Sequence, residues 1–258
     1  MPTDPYRGDN LHDQLFVKLF TAARVSIGSD WNTRDVCSGY WRLYRNNRDG
    51  AGVEWACGYY PLRARQVHFI PAWVKFTCVC RQPVEHFYIH FDLIGLTGVT
   101  VQRLFQKPLA VPLAANPPDP QDIFRVKAFV YAALADLFAT IPAGQLAELQ
   151  AAQSPVAPAI RHIEDHLGEL MTNQQLAGLC HFSEDHFARL FRHRLGQTPA
   201  QFILERRIAA ATHRLAFTTE SIDQIADRLG FANRYHFTRM FTKRMGTSPA
   251  AYRKQARV

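Results

Sequence analysis

Basic and aromatic residues recur at one fixed interval near the C-terminal end of this chain. Ser183-Glu-Asp-His-Phe-Ala-Arg-Leu-Phe-Arg-His-Arg-Leu-Gly-Gln-Thr-Pro-Ala-Gln-Phe202 returns fifty residues later as Asn233-Arg-Tyr-His-Phe-Thr-Arg-Met-Phe-Thr-Lys-Arg-Met-Gly-Thr-Ser-Pro-Ala-Ala-Tyr252. His186/His236, Phe187/Phe237, Arg189/Arg239, Phe191/Phe241, Arg194/Arg244, Gly196/Gly246 and Pro199/Pro249 repeat in register. Guanidinium groups on a helix surface bond phosphates and guanine edges. An internal repeat is the first organising fact of a sequence, and each copy here has the makings of a helix-turn-helix. The duplication implies a nucleic-acid grip made twice.

Each copy predicts its own reading helix. In the first, the Ser183 hydroxyl is expected to cap, and Glu184 and Asp185 suit a positive helix start. Phe187, Leu190 and Phe191 point inward, which leaves Asp185, Ala188, Arg189 and Arg192 on the face a recognition helix presents to a major groove. In the second, Asn233 caps, Phe237, Met240 and Phe241 are buried, and Arg234, Tyr235, His236 and Arg239 face outward, with Lys243 a turn further on. The supporting helices are expected to bury Ile160, Ile163, Leu167 and Leu170, then Leu176 and Leu179 behind a Thr172 cap, then Ile222, Ile225 and Leu229. The offset is forty-nine before the turn (Leu176-Ala177 against Ile225-Ala226), so the second turn holds one extra residue. Pro199–Phe217 joins the copies. About eighteen helical residues span ~27 Å, against ~34 Å between successive major grooves on one face of the duplex.

The N-terminal half concentrates residues that are both ring-bearing and hydrogen-bonding. Trp41, Arg42, Trp55, His68, Trp73, Tyr88 and His90 are expected to supply walls suited to a polar ligand with apolar faces. Arg42 is singled out, because a cation drawn into a β-sandwich needs an anionic or multiply hydroxylated partner. Alternation puts Trp41 and Arg42 on opposite faces, so the whole set cannot line one cavity. The strand-like runs are Ser38–Tyr44, Val53–Tyr60, Gln66–Ile70, Val74–Arg81 and His86–Leu93, each broken by Gly, Pro or an Asn-rich turn. Short strands at this spacing predict an antiparallel sandwich or barrel, but aromatics on both faces leave its inner face unassigned. The five cysteines lack zinc-ligand spacing and read as reduced packing residues.

The elements that position these groups divide the chain at about residue 152. Asn116-Pro-Pro-Asp-Pro120 is a linker, with Asp119-Pro120 expected to open a helix over Gln121–Thr140. That helix carries Ile123, Val126, Val130, Ala133 and Leu137 on one row and Phe124, Tyr131 and Phe138 on a second. A helix apolar on two sides is either a wide core helix or one that also covers a second copy of itself. Gln153–Pro158 reads as the link to the second domain, 153–258. The net charge of +8 is uneven: residues 1–154 hold 15 basic and 13 acidic side chains, and residues 155–258 hold 15 and 9. The excess on the shorter part is the footprint of phosphate neutralisation. The N-terminus has no apolar signal core and no run approaches a membrane span, so a cytoplasmic protein without a membrane partner is expected.

Residues from about Ile160 to Arg253 resemble the DNA-binding domain of the AraC/XylS family of bacterial transcription regulators. The resemblance rests on Leu176-Ala177, Ser183, Phe191, Gly196, Arg207-x-x-x-Ala211-x-x-x-Leu215, Ile225-Ala226, Gly230-Phe231, Phe237, Phe241, Gly246, Pro249 and Tyr252-Arg253. Ala188 departs from it, being small where members often carry a longer polar reader. Tyr40–Asn46, Gly50-Ala51, His68–Pro71 and His86–Phe91 are similar, more loosely, to the cupin-type jelly roll of many members. The resemblance implies an α+β chain with a cupin-like jelly roll and a helical dimerisation segment in 1–152, followed by an all-α domain with two helix-turn-helix units. It implies promoter DNA, a small-molecule effector (a sugar among the candidates), a homodimer partner and RNA polymerase. Enzymatic cupins use a His-x-His pair; His68, His86 and His90 form none, so no catalytic residue, cofactor or metal is assigned. Two other readings stay open: a first domain that only dimerises or binds a protein, and a cupin enzyme with a DNA-binding tail.

Overall fold

The computed structural model describes residues 16–94, 96, 98–112, 115–142 and 155–256. The expected domain boundary near 152 lies outside them. The first part is built from β1 (Phe16–Ile27), β2 (Trp41–Asn46), β3 (Ala51–Trp55), β4 (Gly58–Pro61), β5 (Gln66–Ile70), β6 (Phe76–Cys80), β7 (Val84–Ile94), α1 (Gly98–Leu104), β8 (Leu109–Pro112) and α2 (Ile123–Ala139). The strands form an antiparallel five-stranded sheet, β1-β7-β2-β5-β8, and a three-stranded sheet, β4-β3-β6. Two strands, β1 and β8, were not expected. The run Val53–Tyr60 is not one strand but a hairpin, turning at Ala56-Cys57.

Strand parity sorts the five-stranded sheet into two unlike faces. Trp41 and Leu43 of β2, Val67 and Phe69 of β5, and Phe87, Ile89 and Phe91 of β7 lie on one face, packed under α1 and α2. Their register neighbours form the other face: Arg42 stands between Ile70 and His90, Tyr44 between His68 and Tyr88, and Asn46 beside His86. Tyr44 and Ile70 share a second apolar cluster with Val53, Phe76 and Cys78 of the smaller sheet. The layers therefore run helix, large sheet, small sheet.

Helix α2 begins two residues later than expected. Asp122, not Asp119, caps it by accepting from the Arg125 amide, while Asp119 closes a turn onto Gln121. Neither expected row keeps a single fate: Ile123 of the first row is exposed and Phe138 of the second packs against the core. Val126, Val130, Ala133 and Leu137 are buried against the sheet, whereas Ile123, Phe124 and Tyr131 stay exposed, Phe124 at 82%.

The second part is α3 (Ala157–Asp165), α4 (Asn173–Leu179), α5 (Glu184–Leu195), α6 (Pro199–Phe217), α7 (Ile222–Arg228), α8 (Arg234–Met245) and α9 (Pro249–Ala256). Among the described residues no helix is long and apolar enough to cross a membrane. The repeat is visible in the bounds: α5 and α8 differ by fifty, α4 and α7 by forty-nine. Thr172 with Gln175, Thr198 with Gln201, and Ser221 with Gln224 each make a capping box, which satisfies open amides at both ends of the pair. Gly196 and Gly246 end α5 and α8 at φ of 70° and 72°, a left-handed conformation that glycine adopts without Cβ strain. Phe187 and Phe191 anchor one core, Phe237 and Phe241 the other. Three expectations fail here. Leu170 and Leu179 are exposed rather than buried, because α3 ends at Asp165 and Leu179 sits on the solvent side of α4. The Ser183 hydroxyl makes no cap bond.

One side chain fastens the two units together. Arg207 on α6 donates to the carbonyls of Leu167 (2.8 Å) and Glu169 (2.8 Å) beside the first unit and of Gly230 (2.7 Å) in the second turn. Lysine cannot reproduce three divergent donors. Arg207→Ala is expected to lower unfolding free energy by about 2–4 kcal/mol, since charged hydrogen bonds contribute ~1.5–3 kcal/mol each and solvent takes back part. Arg207→Lys should recover less than half. Urea unfolding measures this; a loss below ~0.5 kcal/mol would show the clamp to be idle.

Candidate functional site

The exposed faces of α5 and α8 carry the residues expected to read DNA. On α5, Asp185, Arg189 and Arg192 are exposed and Ala188 is half-buried. On α8, Arg234, Tyr235, Arg239 and Lys243 are exposed, Tyr235 at 84%. Asn233 caps α8 by accepting from the His236 amide at 2.8 Å. Arg234 is held by Asp223 of α7 at 3.1 Å, which aims it along the helix start. His236 departs from its expected outward role. It is half-buried edge-on to Phe231, with Nδ1 sealed, so it braces the turn. Helix α6, with nineteen residues, puts about 28 Å of helix axis between α5 and the second unit.

A second site lies where the sandwich meets the helical part. A cavity of about 340 Å³ opens among Tyr40, Arg42 and Tyr44 on one side and His86, Tyr88 and His90 on the other. Phe217, at the end of α6, and Tyr252 and Gln255 of α9 complete its wall. Close packing holds that junction. A Cβ on Gly39 would lie 2.5 Å from Cβ of Ala209, so the segment before β2 touches α6 directly. Trp73 takes a left-handed φ of 68°, uncommon for an aromatic residue, and lies under the Arg244 guanidinium of α8 at 3.9 Å. Arg206 of α6 is buried between Asp92 of β7 and Glu164 of α3, bonding both.

Of the seven side chains expected to bind a ligand, Arg42, Tyr88 and His90 line this cavity. Trp41 faces the other way, stacked on Phe91 at 6.2 Å under the helices. Trp55 packs half-buried on the smaller sheet's cluster. His68 is a satisfied interior residue: its Nε2–H donates to the Arg63 carbonyl (2.9 Å) and Nδ1 accepts from Tyr60 (3.0 Å). Trp73 serves the junction. Tyr40, Tyr44 and His86 were missed, although parity with Arg42 and His90 places Tyr44 and His86 on the same face. The contribution of Phe217 and Tyr252 carries no signal readable in either half alone. Cys57 is exposed, not a packing residue, while Cys78 and Cys80 share a buried face as expected.

Burial sets the charge of the cavity wall. It pushes the His86 imidazole down to about 3, and the nearby His68 adds to the effect. Burial also holds His90 well below the ordinary range, helped by Arg42, and takes His213 behind it down to about 4. The Tyr40 and Tyr44 hydroxyls are pushed up by the same cause. Histidines and tyrosines here are therefore neutral near pH 7, and Arg42 is the charge of the inner wall.

A family model described as a helix-turn-helix domain matches residues 176–255. Over 74 residues the chain is 36% identical to an uncharacterised HTH-type transcriptional regulator, YbfP of Bacillus subtilis (strain 168), a stretch that is 29% of this chain and 25% of that relative. Residues 176–255 thus carry a helix-turn-helix domain of the AraC type. It spans about a quarter of the length of the curated relatives it matches first. It is also similar to the DNA-binding domain of AdpA, solved in complex with a target DNA, at 32% identity over 40% of this chain and 94% of that one, with a TM-score of 0.39. ToxT of Vibrio cholerae aligns over 93% of this chain and 100% of its own at 12% identity and a TM-score of 0.51. That likeness is one of fold, and it extends through the strand-rich part as well as the AraC-type helices.

The depressed histidines give stability a defined pH dependence. In the unfolded chain His86 and His90 titrate near ~6.5, whereas the folded chain refuses those protons. Stability is therefore complete above pH ~6.5 and falls below it, by up to ~1.4 kcal/mol per pH unit for each imidazole, until the folded value is reached. The melting temperature should drop between pH 7 and pH 5, and His86→Gln with His90→Gln should flatten that slope. A melting temperature that does not change across this range contradicts the assignment.

Proposed function

We propose that this chain is a one-component transcription regulator that grips promoter DNA with α5 and α8 and responds to a small molecule held in the cavity between its parts. The observation that carries the DNA reading is the duplication itself: two exposed, arginine-bearing helices at a fifty-residue interval, each on its own phenylalanine core. Arg189 and Arg239 occupy equivalent positions where a guanidinium bonds guanine O6 and N7 together. Arg192 and Lys243 lie further along and suit phosphates. The strand-rich part acts as a cupin-like sensor, supported by a face that is polar and hollow where an apolar core would be expected. A second copy docks on the exposed apolar positions of α2, supported by the exposure of Ile123, Phe124 and Tyr131. Val130 and Leu137 belong to the protomer's own core and cannot form that seam.

Fluorescence anisotropy on a selected duplex tests the DNA reading. Arg189→Ala or Arg239→Ala should each cost ~1–3 kcal/mol and relax preference at one base. Arg192→Ala or Lys243→Ala should weaken binding to all sequences and flatten the salt slope by about one unit. Unaltered affinity and preference in both arginine variants would contradict the assigned reading face. For the dimer, sedimentation of Phe124→Glu is expected to show monomers where wild type shows dimers. A wild-type protein already monomeric at micromolar concentration would exclude this seam.

A further inference from the structure

The Arg42 guanidinium is 6% exposed, yet among the described residues no carboxylate lies within ion-pair distance of it. Its bonds go to the Ser38 hydroxyl (2.5 Å) and the Tyr40 hydroxyl (3.3 Å), and it sits over the rings of Tyr40 (4.6 Å) and Phe76 (5.3 Å). Two of its five N–H donors are used in those bonds. Buried charges are ordinarily paired, because hydration lost on burial is not returned by neutral groups. The contrast within this molecule is plain: the other deeply buried guanidinium, Arg206, has both Asp92 and Glu164.

The surroundings of Arg42 match this deficit. Its register partner on β7, His90, is buried and has an Nδ1 with no hydrogen-bond partner. Both side chains line the cavity. Asp30 and Asp35 stand at the exposed mouth, where Asp30 accepts from the Gly28 amide and Asp35 pairs with Lys75; Arg34 lies beside them. The mouth thus carries charges of both signs and does not neutralise the interior. One fixed cation and one spare imidazole nitrogen match an anion of single charge with two oxygens in a plane. Rings make up much of the remaining wall, Tyr44, Tyr88 and His86 on the sheet and Tyr40 and Phe217 where the helices close it, with Val25, Ile27, Val36 and Cys78 adding apolar surface. A volume of about 340 Å³ is at the compact end of the ~300–1,000 Å³ usual for ligand pockets.

We propose that the effector is a compact organic monocarboxylate, its carboxylate on Arg42 and His90 and its apolar body among the rings between β2, β7 and α6. The assignment rests on the effector reading given above and deepens it. Because Phe217 and Tyr252 belong to the DNA-binding part, the ligand touches both parts at once.

Full-length protein and matched probes test this: benzoate against benzamide, and octanoate against octanamide, with L-arabinose and D-glucose as neutral polyols. Calorimetry and thermal shift should show at least one carboxylate binding tenfold or more tighter than its amide and raising the melting temperature. Arg42→Gln should abolish that preference, with an unliganded melting temperature no lower than wild type, since it removes an unpaired buried charge. Should the variant fail to fold, the carboxylate-to-amide ratio on wild type decides alone. Equal binding of acid and amide, or a preference surviving in Arg42→Gln, overturns the proposal. A polyol that binds while every carboxylate fails overturns it but leaves the effector reading standing. No binding by any probe removes both.

Discussion

Trp41 and Arg42 are neighbours in the chain and, because side chains alternate along a strand, must face opposite ways. In the five-stranded sheet this constraint acts on β2, β5 and β7 together. The register sets Trp41 beside Phe91 and Arg42 beside His90, so one face is mainly apolar, with Arg24 and Arg45 at its end beside Phe87, and the other carries Arg42, Tyr44, Asn46, His86, Tyr88 and His90. The apolar face is covered by α1 and α2. Between the sheets Tyr44 and Ile70 close an apolar cluster with Val53, Phe76 and Cys78, while the cavity opens beside it at Arg42, His86 and His90. A one-residue slip of β2 would exchange the two faces and leave neither a core nor a cavity.

Helix α6 links that sandwich to the repeats. Its successive residues Arg206 and Arg207 serve different bodies: Arg206 bonds Asp92 of the sheet and Glu164 of α3, and Arg207 bonds carbonyls flanking both helix-turn-helix units. A buried ion cluster adds little net stability, because desolvation offsets its attraction, but breaking one partner is costly. It ties β7, α3 and α6 at one buried point. Asp92 continues the row of β7 that supplies His86, Tyr88 and His90 to the cavity, so one strand serves both the cavity and the clasp. Arg244, stacked on Trp73, gives α8 its own contact with the sandwich.

The helical part was legible in the sequence because each feature was local and stated twice. Phe187 and Phe237 predict each other, as do the glycines that end α5 and α8, and the offset of forty-nine before the turn is met residue for residue. The failures there are single positions, such as His236, whose ring turns toward Phe231 because that aromatic stands at the turn. The strand-rich part was harder. Phe16–Ile27 mixes apolar, charged and small residues, and only pairing with β7 makes it a strand. Alternation separated Trp41 from Arg42 but could not say which face α2 would take. That choice depends on Val126, Val130, Ala133 and Leu137 seeking the larger apolar surface. The cavity's helical wall was invisible for a deeper reason: Phe217 and Tyr252 reach it only where the helical part packs against the strand-rich part.

The central claim is that two equivalent helices read two successive turns of one duplex. Selection of bound sequences by the full-length protein from a pool of random duplexes tests this most directly. The account predicts enrichment of two short blocks whose centres lie about one helical turn, ~10 base pairs, apart. A single uninterrupted block, or no enrichment above the starting pool, would contradict it.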